Sequence, residues 1–160
     1  PLREIRVLGR GRPNQDALCR MGEEIGLSAT VCTSAREVVD GADLVISSVT
    51  SSRGLEAFVD ARWLELGSFA AITDIALPWV SEGMVAFDRI VIDDLEQESA
   101  MPKPMVAPQL VLGDIAGLVN GDIDGRQSES ERAAFVFRGL ALGDLALAAL
   151  AYRRWLGLLE

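Results

Sequence analysis

Histidine is absent from all 160 residues. That excludes a histidine-based triad, a histidine metal cluster and a histidine general base within the chain, and leaves carboxylates, lysine, hydroxyls, two cysteines or a cofactor to carry any chemistry. Cysteine is nearly as scarce: Cys19 and Cys32 have no CxxC spacing and are too few for a disulfide framework, so a reduced, cytosolic setting is expected. Positive charge is in deficit. Fifteen Lys and Arg against 24 Asp and Glu give a net −9 and an isoelectric point near 4.5, which argues against nucleic acid or an anionic membrane as a main partner. Long apolar runs are missing as well. The strongly apolar stretch near the C-terminus, Leu145 to Tyr152, is bounded by Asp144 and Arg153 and falls short of the roughly 20 residues that span a bilayer. No set of acids has metal-ligand spacing.

What is present suffices for a hydrophobic core, since 49% of the residues are apolar and 24% charged, a balance that excludes wholesale disorder. The length fits about one domain. The opening residues, Pro-Leu-Arg-Glu, carry no apolar run of the signal-peptide kind. The chain begins with Pro1 and reads as a strand from Glu4, so a fragment of a longer protein is expected.

Short β-type runs alternate with helical patterns through the first half. Glu4–Leu8 reads as a strand, Gly9–Asn14 as a turn, and Asp16–Ile25 as a helix from the spacing of Ala17, Leu18, Met21 and Ile25, with Gly26 as its stop. Ala29–Thr33 is a second strand, and Ser34 caps a short helix that Gly41 ends. Asp43–Ser48 is a third strand whose nearly continuous apolar run predicts cover on both faces. Phe69–Ile75 and Arg89–Asp93 supply two more. Strands separated by helical segments imply βαβ units and a doubly wound, mostly parallel α/β sheet. Residues 95–108 fit a helix turn and an irregular crossing, Gln109–Val119 has helical spacing, and 121–125 is a loop. From Ser130 the pattern predicts one or two helices to Trp155.

Three stretches could carry chemistry. The turn Gly9-x-Gly11-x-x-Asn14 is an altered glycine-rich dinucleotide fingerprint, with Asn where the third glycine belongs. Its arginines, Arg10 and Arg12, fit instead the end of a second nucleotide-domain strand, where Arg accommodates the 2′-phosphate of NADP and an acid would hold the ribose of NAD. Gly9 in the acid's place favours NADP(H), and a solvated basic turn is the alternative. The third strand runs into Val49-Thr50-Ser51-Ser52-Arg53, and ligands of open α/β sheets sit beyond the carboxyl ends of strands. Thr50 and Ser51 are therefore placed to face a nucleotide, or else form a plain hydroxyl turn. Asp74 is a carboxylate in an otherwise apolar run after the fourth strand, and it needs a partner or a function there; capping of a helix over Trp79–Met84 is its structural alternative. Asp93-Asp94 reads mainly as a cap for the next helix, its side chains on opposite faces. Glu23, Glu24, Glu96 and Glu98 read as solvated faces.

In order and spacing, five stretches together resemble the ornithine cyclodeaminase/mu-crystallin family. They are Ile5–Arg10, Ala42–Thr50 with its ADLV segment, Gly67–Glu82 with a strand, Pro and Glu, Arg89–Asp94, and Phe135–Ala149 with Gly139, Ala141 and Asp144. The resemblance implies an NAD(P)-binding domain over residues 1–125 that lacks its first strand and glycine fingerprint. It implies a helical segment over 126–160 that packs on that domain and leads to a substrate and dimerisation domain, in a homodimer. It implies hydride transfer at the α-carbon of a small amino acid or cyclic imine, with Gly139 and Asp144 on the cofactor side and Asp74 as the catalytic group. Ornithine cyclodeamination and a non-catalytic binding role are the alternatives. Two departures stand out. Pinning Pro78 and Glu82 puts Ala76 where the family's catalytic Asp falls, with Asp74 two residues upstream, and Phe137 and Arg138 replace the usual Ser and small apolar residue.

Overall fold

A computed structural model describes residues 2–158, and the fold is built from short parallel strands. In chain order the elements are β1 (Glu4–Val7), α1 (Arg12–Glu24), β2 (Ser28–Val31), α2 (Ala35–Val39), β3 (Leu44–Ser47), β4 (Phe69–Ile72) and β5 (Arg89–Ile92). There follow α3 (Leu95–Ser99), β6 (Val111–Asp114), α4 (Ile115–Asn120), β7 (Ala133–Val136) and α5 (Ala141–Trp155), with 3-10 turns at Ala61–Trp63, Ser81–Ala86 and Pro108–Leu110. The α/β class and the parallel pairing agree with the alternation in the sequence.

Several local expectations hold because the side chains that dictate them make the bonds expected. Ser34 caps α2 by accepting the Glu37 amide at 3.2 Å, and Asp94 caps α3 by accepting the Gln97 amide at 2.6 Å. Helix α1 begins at Arg12, four residues before the expected start at Asp16, because Pro13 in its first turn has a φ already suited to a helix start. The expected turn therefore shrinks to the residues before Arg12.

The sheet is in two parts. β1 pairs with β2, and β3-β4-β7-β5-β6 form a five-stranded sheet, every pairing parallel. β7 is the correction to the expected C-terminal helices. Ala133–Val136 inserts between β4 and β5, with Phe135 opposite both Ala71 and Val91. Four apolar residues carry no period that separates strand from buried helix, and two flanking ladders decide for the strand. Likewise the first half of the expected helix at Gln109–Val119 is β6, which pairs with β5; Asp114 then accepts the Gly117 amide at 2.8 Å and starts α4.

Side chains alternate across the five-stranded sheet. Ala70, Ile72, Ile90, Ile92, Ala134 and Val136 point into the core, where they meet Val39, Val59, Leu64, Trp79, Met84 and Phe87. On the opposite face the registered rows run Leu44, Phe69, Ala133 and Ile46, Ala71, Phe135. Leu44 is 45% and Ile46 67% exposed, so β3 is not covered on both faces as its apolar run predicted. It is an edge strand, and Leu44 and Ile46 border an open cleft. Helix α5 also has no buried residue. Its Leu142, Leu145 and Leu147 are exposed in the described residues.

Candidate functional site at the carboxyl edge of the sheet

Parallel strands put all their carboxyl ends on one edge, where backbone amides and loops are free to meet a ligand. Here the loops that follow β3, β4, β5 and β7 share that edge. Val136 is in register with Ile72, and the Phe137 amide bonds the Ile72 carbonyl at 2.8 Å, so the loops beginning at Thr73 and Phe137 leave the sheet side by side.

Asp74 sits in the loop after β4 and is 7% exposed. Its Oδ2 accepts the Val49 amide at 3.0 Å, while Oδ1 is buried without a hydrogen-bond partner among the described residues. A buried carboxylate oxygen left without a donor is costly, and Ser68 Oγ is in the same position. The backbone beside it is strained: Ile75 and Ala76 both have positive φ, 52° and 57°. For residues with a Cβ this costs roughly 1–3 kcal/mol each, and such strain clusters at ligand sites. Asp74 caps no helix: the 3-10 segment that follows starts at Ser81 behind Val80, and the carboxylate reaches Val49 instead. The loop is braced from below, where Trp79 Nε1 donates to Ser47 Oγ at 3.0 Å and the Phe58 and Val59 amides donate to the Pro78 carbonyl.

A cleft of about 690 Å³ separates β1 from β3, with Val7, Leu8 and Gly9 on one wall and Leu44, Ile46 and Val49 on the other. Two arginines span it. Arg10 donates to the Thr50 carbonyl at 3.2 Å across the carboxyl ends, and Arg6 donates to the Glu37 and Asp40 carbonyls at the end of α2. Arg10 and Thr50 thus come together, with Val49 and Asp74 beside them. Arg12 turns along α1 to Asp16 at 2.8 Å, and Ser51 and Asp144, the latter in the first turn of α5, are exposed.

Gly139 belongs to a second cluster. Asp93, read from sequence as a cap, is 3% exposed, and its Oδ2 accepts the amides of both Arg138 and Gly139 at 2.9 and 2.7 Å. Only Asp94 caps the helix. Glu98 is likewise not a solvated acid: its side chain is 11% exposed and pairs with Arg138 at 2.7 Å. Burial alone would raise its pKa, but the Arg138 guanidinium and the Met105 amide outweigh burial and hold the carboxyl below its ordinary value. Asp93 and Glu98 were invisible as site-forming residues because their partners lie 40 or more positions away. Among the described residues no group of acids or cysteines could hold a metal ion.

An open, all-parallel sheet with its loops gathered at the carboxyl edge defines a Rossmann-like nucleotide-binding fold. The chain belongs to the ornithine cyclodeaminase/mu-crystallin family, whose sequence profile matches residues 1–158. It is 28% identical over 142 residues to N-((2S)-2-amino-2-carboxyethyl)-L-glutamate dehydrogenase of Staphylococcus aureus, covering 82% of this chain and 40% of that protein. The fold is shared with the Δ1-pyrroline-2-carboxylate reductase of Thermococcus litoralis solved with NADH and L-proline, at a TM-score of 0.76 and 21% identity, over 97% of this chain and 51% of that one. An archaeal alanine dehydrogenase dimer with bound NAD is similar at a TM-score of 0.75 and 25% identity, over 97% and 50%. The chain thus spans about half the length of the solved relatives.

Proposed function

We propose that these residues form the greater part of the nucleotide domain of a longer NAD(P)-dependent oxidoreductase that acts at the α-carbon of a small amino acid or cyclic imine. The observation that carries this reading is Asp74: a buried carboxylate with one oxygen unpartnered, in a strained loop at the ligand edge of a sheet of this family. The S. aureus relative is a dehydrogenase, and the Thermococcus structure carries NADH and proline.

The donors present fit a dinucleotide. Arg10 and Arg12 stand at the carboxyl end of β1, where a 2′-phosphate would be met, and this supports NADP(H) over NAD(H). Thr50 and Ser51 would hold the dinucleotide with hydroxyls and amides, and Gly139 and Asp144 would line its nicotinamide end. A bound nicotinamide supplies hydride exchange with the α-carbon. Asp74 orients the substrate nitrogen through Oδ1 and holds or passes its proton, while Oδ2 stays on the Val49 amide and fixes the carboxylate. The strained Ile75-Ala76 backbone sets the direction of that carboxylate, and Trp79 and Pro78 keep the loop rigid.

The cleft between β1 and β3 supports a further part of the reading. Crossed at the carboxyl ends of the two strands by Arg10 on the Thr50 carbonyl, it suits one more parallel strand supplied from outside these 160 residues. The nucleotide domain would then run beyond residue 125 through β7, the central strand of its sheet, and α5 would lead to a substrate and dimerisation domain. The uncovered leucines of α5 support an apolar partner there, a second subunit included. The two free thiols support a reducing, cytoplasmic compartment.

The test uses the full-length protein, NADH and NADPH in turn, and a panel of cyclic imines, 2-oxo acids with ammonia, and ornithine. Turnover of an imine or oxo acid, NADPH preferred, is expected. Ammonia and proline from ornithine would establish the cyclodeaminase instead. Ala76, where the family places its catalytic Asp, favours a second reading: a protein that binds nucleotide without turnover. Nucleotide binding with no hydride transfer across the panel would establish it.

A further inference from the structure

The joint between β7 and α5 is tied to β4 through the Phe137 amide on the Ile72 carbonyl, and its next two residues are fastened from the β5 side. Asp93, at the end of β5, receives the consecutive amides of Arg138 and Gly139 on a single carboxylate oxygen, at 2.9 and 2.7 Å. Gln97 on α3 donates to the Gly139 carbonyl at 3.1 Å. The Arg138 side chain turns away along the same segment, with Nε on Glu98 at 2.7 Å and a second nitrogen on the Lys103 carbonyl at 3.1 Å. Glu98 is itself fixed by the Met105 amide at 2.5 Å.

Beyond the joint, no hydrogen bond or ion pair among the described residues ties α5 to another element. Leu140 provides no side-chain cap, no residue of α5 is buried, and Gly139 adopts φ 113°, which a residue with a Cβ resists. Two adjacent amides converging on one anion require such a kinked pair of peptides. The direction in which α5 leaves the sheet is therefore set by the carboxylate of Asp93 and by the Gln97 and Glu98 contacts.

We propose that Asp93, Gln97 and Glu98 form a latch on the β7–α5 joint, and that Asp93 is a positioning residue that aims the first turn of α5 at the nucleotide. The proposal rests on the functional reading above for its second half and on geometry alone for its first. Arg138, which departs from the small residue usual in the family, is the latch's second anchor, held sideways by Glu98 and so kept out of the edge it would otherwise crowd.

The experiment compares wild-type full-length protein with Asp93→Ala, Asp93→Asn and Gln97→Met by amide hydrogen exchange and by titration with NADPH and NADH. In Asp93→Ala, exchange at residues 138–145 should rise about tenfold or more, the factor expected for loss of a charge-assisted bond, with exchange in β4 and β7 unchanged. Nucleotide affinity should fall by a similar factor, and Asp93→Asn, which keeps an acceptor oxygen, should restore most of both. Gln97→Met, at a half-exposed position, should loosen the joint less and decides the matter if Asp93→Ala does not fold. Unchanged exchange at the joint, or acceleration spread evenly over the sheet, overturns the latch. A loosened joint with unaltered nucleotide affinity overturns the positioning role. A wild-type protein that binds neither nucleotide overturns the functional reading instead, and the exchange result still decides the latch.

Discussion

Oδ2 of Asp74 accepts the backbone amide of Val49 at 3.0 Å, joining the loop after β4 to the loop after β3 across 25 positions of sequence. One oxygen of the carboxylate is thereby immobilised and the other left without a donor among the described residues. Asp93 does the same on the far side of β7, so each neighbour of the central strand ends in a buried acid that fixes the backbone of an adjoining loop.

Asp74→Asn retains an oxygen for the Val49 amide and removes the group that takes a proton. In the full-length enzyme kcat should fall roughly 10²-fold or more, the scale of general acid–base catalysis, while nucleotide affinity changes little. Steady-state kinetics with parallel nucleotide titrations measure it. Full kcat in this variant would make Asp74 purely structural.

Arg10→Ala removes a guanidinium from the carboxyl end of β1. Affinity for NADPH should drop roughly tenfold, as for loss of one charged hydrogen bond, and affinity for NADH much less. Equal losses for both nucleotides, or tighter binding of NAD than NADP in the parent, would remove the phosphate assignment.

Ile46→Asp tests the proposal that these 160 residues belong to a longer protein. Ile46 is 67% exposed here, so the substitution should shift stability of this chain by no more than about 0.5 kcal/mol. If a further layer covers that face in the full-length protein, burying the new carboxylate should cost several kcal/mol there. Urea unfolding of both proteins checks the contrast, and equal small effects would leave the face uncovered in both.

Stability should fall in acid partly through Asp60. The Arg62 side chain and amide bond its carboxylate, and they hold its pKa below the ordinary aspartate value against the burial that opposes them. A depressed pKa in the folded state stabilises fully above the unfolded value, about 3.9. That contribution is lost as pH falls through the folded value. Thermal melts of wild type and Asp60→Asn should therefore differ at neutral pH and converge below about pH 4. A difference that persists in acid would assign the effect to packing against Gly83, whose Cα faces Asp60 too closely for a Cβ.

The local elements were largely legible because their determinants are close in sequence. Ser34 and Asp94 cap where a short polar side chain precedes a helix, and Gly26 follows the end of α1 with φ 87°. β7 was not legible. Ala-Ala-Phe-Val becomes a strand only because β4 and β5 leave a slot between them, and that slot is formed by residues 44 to 64 positions earlier.

The sequence by itself determined the parallel α/β class, through alternating runs and caps. It determined the family as well, through the order of five short stretches, and it singled out Asp74 as a charge out of place. Tertiary structure alone decided what the buried acids do. Asp74 meets Val49 and Asp93 meets Arg138 and Gly139 because parallel strands bring all their carboxyl ends to one edge, whatever their separation in the chain. It also decided that β3 faces an open cleft, since whether an apolar strand is covered depends on which elements lie beside it and not on its own residues.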